Sequence, residues 1–213
     1  MSNYFNLRKI KAIDSCDTLC PCLPVPQPCL PAQQPCLPAC DFQTKTFINP
    51  SSITIPETGD GISLPYPSPI VVSDMTGKII KVIVRLINLS HTRPAEISIM
   101  LVGPGGQNAT IMSEVGGADD VTNIKLTLDD LAPTAISDTS PLVSGTFKPT
   151  NAGTVFDNFP SAPTPSGGSM LSSFNFTNPN GTWNLFVSDD TPLDSGSIAD
   201  GWELIITTSN CTP

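Results

Sequence analysis

An antiparallel all-β sandwich, jelly-roll-like and of about eight or nine strands, with an extended N-terminal arm is what this sequence predicts, on three observations. From Phe42 onward apolar residues recur with period two, in short runs bounded by turn residues every ~8 to 15 positions. The 213 residues include 23 prolines and 15 glycines and are only 14% charged, a mix that suits short strands and turns and excludes long helices and coiled coils. Six of the seven cysteines fall between Cys16 and Cys40, in a proline-dense stretch without strand periodicity.

The chain therefore divides into an arm, residues 1–41, and a sandwich, residues 42–213. From Pro21 the arm reads PCLPVPQ, PCLPAQQ, PCLPAC, a heptapeptide repeat that spaces Cys22, Cys29 and Cys36 evenly. Proline at this density excludes helix and favours polyproline II. Seven residues of that conformation advance two turns plus ~120°, so successive cysteines face three directions, ~22 Å apart along the axis.

In the sandwich, weak strands are expected near Thr44 to Ile48, Ile53 to Ile55 and Ile70 to Ser73. Ile80, Val82, Val84 and Leu86 share one face of a stronger strand. Ile97, Ile99 and Leu101 alternate with Glu96, Ser98 and Met100, and the turn Gly103, Pro104, Gly105, Gly106 leads into Ala109 to Met112 as the second arm of a hairpin. Ile124, Leu126 and Leu128 alternate with Lys125 and Thr127. Residues 131–169, rich in Pro, Ser, Thr and Gly, are expected to form long ordered loops. Trp183, Leu185 and Val187 then alternate with Asn184, Phe186 and Ser188, and Trp202, Leu204 and Ile206 with Glu203 and Thr207, for about nine strands in all.

The run Asn178, Pro179, Asn180, Gly181, Thr182, Trp183, followed by Leu185, Val187, Asp189, Asp190, Asp194, Gly196, Ile198, Gly201 and Trp202, resembles the end of the P domain, or homo B domain, of subtilisin-like proprotein convertases. Upstream, Ile83 through Leu89, Ser90, His91, Glu96 to Ile99, Leu101, Gly103, Pro104 and Gly106 resemble the earlier strand pair of that family. Thr127 to Asp130, Pro141, Leu142, Ser144 to Pro149 and Leu171 to Asn175 are similar to its longer bacterial version. The resemblance covers about residues 44 to 208 and leaves the arm without a counterpart. It implies a jelly-roll-like sandwich of eight or nine strands that stands alone as an accessory or adhesive module. The catalytic domain that precedes the module in convertases is missing from these residues. In the signature, Asn180 and Gly181 are expected to supply a tight turn, and Trp183 and Trp202 to fill the core.

Charge narrows the function further. Ten Lys plus Arg against 19 Asp plus Glu give a net −9, which excludes a nucleic-acid partner. No run reaches the ~18 to 20 apolar residues that insert into a bilayer, and residues 1–14 show no apolar region of a recognisable signal peptide.

The cysteines Cys16, Cys20, Cys22, Cys29, Cys36, Cys40 and Cys211 admit several roles. A zinc site needs four convergent ligands, whereas the spacing C-x3-C-x-C-x6-C-x6-C-x3-C is broken by prolines and the lone His91 is distant. Intramolecular pairing alone leaves one thiol over, although Cys16, Cys20, Cys22 and Cys40 lie where the arm could fold back. Intermolecular disulfides fit the odd count and the outward spacing best, and a disordered tail with no defined partner is the compositional alternative.

Two further sets of residues invite chemistry. Asp189, Asp190 and Asp194 share one connecting loop, and with Asp129 and Asp130 arriving from another they are candidate ligands of calcium. Against this, Asp194 with Ser195 and Gly196 suits a turn capped by its own backbone. His91 has no partner at any recognised triad spacing, the chain has no G-x-S-x-G or H-E-x-x-H, and Asp194-Ser195-Gly196 lacks the second carboxylate that an aspartic-protease site shares a proton with. No catalytic residue is expected, and the protein is read as no enzyme. Sequons at Asn88, Asn108, Asn175, Asn180 and Asn210 matter only in a eukaryotic secretory route.

The expectation is a non-enzymatic structural subunit of an extracellular layer or fibre, or of a cell, spore or virion surface. It forms a homo-oligomer or polymer through arm disulfides, with a surface-layer protein as a further partner. The alternative is a surface-anchored module that binds a carbohydrate or a protein, with calcium ordering its loops.

Overall fold

The computed structural model describes residues 40–57, 61–153, 159–191 and 193–211. They belong to a unit running from Leu37 to Pro213. Twelve strands and no α-helix occur among the described residues: β1 (Cys40–Asn49), β2 (Ile53–Ile55), β3 (Ser68–Val72), β4 (Lys78–His91), β5 (Ile97–Val102), β6 (Asn108–Ser113), β7 (Val121–Leu128), β8 (Gly145–Phe147), β9 (Thr150–Asn151), β10 (Gly181–Asp189), β11 (Gly196–Ile198) and β12 (Trp202–Cys211). None of these residues forms a helix long and apolar enough to cross a membrane.

Two sheets face each other. The larger has seven strands in the order β1-β12-β4-β11-β2, with β7 paired to β4 and β8 to β7; the smaller has five, β3-β10-β5-β6-β9. Pairing is antiparallel except for the short couples β6 with β9 and β7 with β8. The fold is the expected all-β antiparallel sandwich. Each of the nine expected strands overlaps an observed one, and the three additions, β8, β9 and β11, are two or three residues long. Too short to show a period, they are held by pairing with a longer neighbour.

Period-two positions build the core. Val82, Val84 and Leu86 of β4 face Leu185 and Val187 of β10 in one cluster with Trp183 and Trp202, both 0% exposed. Each indole is satisfied: Trp183 Nε1 donates to Pro179 O at 2.9 Å and Trp202 Nε1 to Ser68 Oγ at 3.1 Å.

Two expectations change. Ile80 does not share the face of Val82, because the β12–β4 register shifts between Thr207 and Thr208; Ile79 goes inside at 0% exposure and Ile80 turns outward at 36%. Ser98 and Met100 alternate with Ile97, Ile99 and Leu101 as predicted but do not meet solvent, since all six residues of β5 are buried. A second small cluster, Met100, Val102, Phe159 and Phe186 with Tyr66 and Ala162 against it, roofs the outer face of that sheet. The Tyr66 ring meets Phe186 edge-on at 5.1 Å, and burial pushes the Tyr66 hydroxyl up to about 12.

Candidate functional site

β1 is an edge strand whose ten residues pair with β12, and the first couple of that ladder is Cys40 opposite Cys211. These two cysteines are joined in a disulfide, Cα to Cα 4.0 Å, across 171 residues of sequence. The expectation that both link different subunits is thereby corrected: antiparallel pairing of the two ends sets them side by side, which no spacing in the chain reveals. Cys16, Cys20, Cys22, Cys29 and Cys36 lie outside the described residues.

The five carboxylates proposed for calcium do not come together. Asp129 Oδ2 is bound to Lys81 Nζ at 2.8 Å, and Asp130 accepts the N–H groups of Leu171 and Ser172 at 2.8 and 2.7 Å, capping the 3-10 turn Leu171–Phe174. Asp189 lies against His91, ten residues further along β4 than Lys81, roughly 30 Å away at strand rise. Calcium ligands must converge to within ~2.6 Å of one ion, so the two groups cannot share one. Of the remaining three, Asp190 Oδ1 accepts the Thr191 hydroxyl at 3.0 Å and Asp194 Oδ1 the Thr92 hydroxyl at 2.7 Å. Among the described residues no group of three or more His, Cys, Asp or Glu is arranged to hold a metal ion.

What the loop after β10 does build is a polar lock between the sheets. His91 ends β4 in the larger sheet and Asp189 ends β10 in the smaller; their side chains are 0% and 1% exposed, with Nε2 and Oδ2 3.0 Å apart. His91 Nδ1 accepts the Arg93 N–H at 3.1 Å, which leaves the ring proton on Nε2, facing the carboxylate. The Nε2 to Oδ2 contact is poorly aligned for a hydrogen bond, so it acts chiefly as an electrostatic contact. Burial raises the Asp189 carboxyl above the usual range, opposed by the Thr191 N–H and by His91.

Beside it, Glu96 Oε1 meets Arg93 Nε at 3.0 Å, and the Glu96 carboxyl lies next to that of Asp194. Burial first, then the neighbouring Asp194 carboxyl and its charge, push Glu96 up to about 7, while the Thr92 hydroxyl holds Asp194 below the usual carboxylate range. Asp194 does have a second carboxyl beside it, which the sequence left unseen because Glu96 lies 98 positions away. Gly196 closes the corner: a Cβ there would collide with Ser90 O and the His91 ring. Glu96, Thr92 and Arg93 were missed as members of this cluster because no local spacing joins residues 91–96 to 189–194.

The signature turn works differently from expectation. Gly181 has φ +129°, and a Cβ on it would stand 2.6 Å from Pro104 Cβ. Asn180 instead uses its amide, donating to Met75 O at 2.8 Å and accepting the Met75 N–H at 3.1 Å, which fastens the loop before β4 to the start of β10.

One open surface lies near the disulfide. A depression of about 660 Å³ lined by Lys78, Ile80, Phe176 and Cys211 adjoins, through Ile80, another of about 280 Å³ lined by Val82, Leu131, Met170 and Asn175. Leu131 is 78% exposed, Phe176 76% and Met170 45%.

No family model matches the chain, and no curated protein matches it. Two solved structures align with it. One is the complex of the serine protease of Aeromonas sobria with its chaperone, at 16% identity and TM-score 0.39, covering 82% of this chain and 28% of that one. The other is the serine protease of Aeromonas sobria, at 15% identity and TM-score 0.38, covering 83% of this chain and 28% of that one. The chain thus spans 28% of the length of those structures.

Proposed function

We propose that this protein is a non-enzymatic structural subunit whose P-domain-like sandwich is carried into an extracellular or surface assembly by intermolecular disulfides of its N-terminal arm. The observation that carries this reading is arithmetical. With Cys40 and Cys211 joined to each other, five of the seven cysteines are left, and an odd number cannot all pair within one chain. The Cys40–Cys211 bond also fixes the point where the arm joins the sandwich, so tension on the arm passes covalently to β12, which lies next to β4 in the larger sheet. A persistent disulfide suits an oxidising exterior. The carboxyl pair of Glu96 and Asp194 and the couple of His91 and Asp189 serve as an inter-sheet lock in this reading, since side-chain exposures of 0% and 1% leave the couple no face for a substrate.

The test is a denaturing gel of the protein from its native source, with free thiols blocked, run with and without reductant. A ladder or an excluded high-mass band that collapses to monomer on reduction is the expected result. A monomer in both lanes would end the covalent-assembly reading.

A further inference from the structure

We infer that the groove running from Cys211 past Phe176 and Ile80 to Met170 and Leu131 is a docking site for the proline-rich heptapeptide of a second copy's arm. The inference deepens the assembly reading and rests on it. The groove is mostly apolar where it is open; Lys81 is spent on Asp129 and Asp130 on the Leu171 turn, which leaves the exposed Lys78 at its rim as a positive charge. An apolar occupant without positive charge fits this surface. The chain carries such a segment: no charged residue occurs from Thr18 to Cys40, and Leu23, Leu30 and Leu37 recur with the repeat.

Dimensions agree. Gly77 to Val82 spans about 17 Å along the strand, and one polyproline II heptapeptide spans ~22 Å. Pre-extended proline segments lose little entropy when they bind, and aromatic-lined grooves are their usual receptors. Phe176 suits that role. It is exposed, yet held at φ +65°, a conformation that bulky residues avoid, with its N–H bonded to Ile79 O at 2.7 Å.

Proximity selects a neighbouring copy. Cys36 lies four residues before Cys40, at most ~14 Å of extended chain, and the disulfide partner of Cys40 lines the groove. A neighbour linked at Cys36 therefore brings its own heptapeptides within reach of this surface.

The test places a photoreactive benzoylphenylalanine at position 176 of the full chain and assembles it from an equal mixture of nitrogen-14 and nitrogen-15 protein. After illumination, reduction and digestion, adducts between position 176 and residues 22–38 of the oppositely labelled chain are expected. Adducts confined to equal labels, adducts on the sandwich strands, or no adducts overturn the inference. A second measurement uses the full chain with Cys16, Cys20, Cys22, Cys29 and Cys36 changed to Ser, in sedimentation. Phe176→Asn, which tolerates the positive φ, is expected to weaken the remaining association at least tenfold without changing the melting temperature; an unchanged or absent association overturns the inference. The gel ladder is scored separately: a ladder without position-176 adducts removes the groove and leaves covalent assembly standing.

Discussion

Strand β4 is secured at its two ends by unlike chemistry. Near Lys78, which pairs with Ser209 two residues before Cys211, the end of the sandwich is closed by the Cys40–Cys211 bond between the edge strand β1 and β12, neighbours within one sheet. At His91, thirteen residues on, it is closed by a buried contact to Asp189 that joins one sheet to the other. The covalent end responds to reductant and ignores pH. The polar end ignores reductant and follows the carboxyls around it. An edge strand has a partner on one side only and frays easily, so a covalent clamp suits the end at which the arm enters. Two sheets in face contact share no continuous ladder, and at this rim the side-chain contact works beside the backbone of residues 61–64, which bonds to Thr54 of one sheet and to Val187 and Asp189 of the other.

The comparison breaks most visibly at the polar end. His91→Ala empties the space of a ring whose side chain is 0% exposed and takes away the neighbour of Asp189 Oδ2, and truncating a buried ring to alanine costs about 3 to 5 kcal/mol. Urea unfolding should show that loss, equally with and without reductant; a loss below about 1 kcal/mol means the pair does not hold the rim.

At the covalent end, Cys40→Ser with Cys211→Ser opens a 171-residue closure. Chain entropy sets a ceiling of about 5 kcal/mol, and native disulfides usually deliver less, so a loss of about 3 kcal/mol is expected, independent of pH. It should match the effect of reductant on the native protein, and a mismatch would indicate that the arm cysteines also act on sandwich stability.

The third and smallest effect sharpens the contrast through pH. Glu96 is raised from 4.5 to about 7, so the folded protein binds its proton more tightly than the unfolded chain does. Its contribution is fully present below about 4.5 and is lost as pH rises toward 7, with an amplitude on the order of 2 kcal/mol. Asp194, lowered by the Thr92 hydroxyl, acts oppositely and only at the acid side, where its contribution is lost as pH falls below the ordinary carboxylate range. Glu96→Gln should flatten the slope between pH 4.5 and 7, and a slope that survives it places the responsible group elsewhere.

Particular residues show what could be read in advance. Val82, Val84 and Leu86, or Leu185 and Val187, reveal their face because the side-chain period of a strand is a local property. Ile80 does not, because the register shift that turns it outward depends on how β12 pairs with β4. The burial of both faces of β5 was equally hidden, since the cover over Met100 comes from Phe159 and Tyr66, about 60 and 35 positions away. The candidate site was less legible still. Asp189 and Asp194 were singled out as acidic, but their partners His91, Thr92 and Glu96 are not encoded at any spacing from them.

By itself, the sequence determined the fold class, the strand faces, the hairpin at Gly103 to Gly106 and the unusual arm, because alternation, turn chemistry and proline content act over a few residues. Tertiary structure alone decided that Cys40 meets Cys211, that Asp129 and Asp189 stand far apart, and that Glu96 stands beside Asp194. Those facts depend on which distant strands become neighbours, and that choice belongs to the packing of two sheets rather than to any local run of residues.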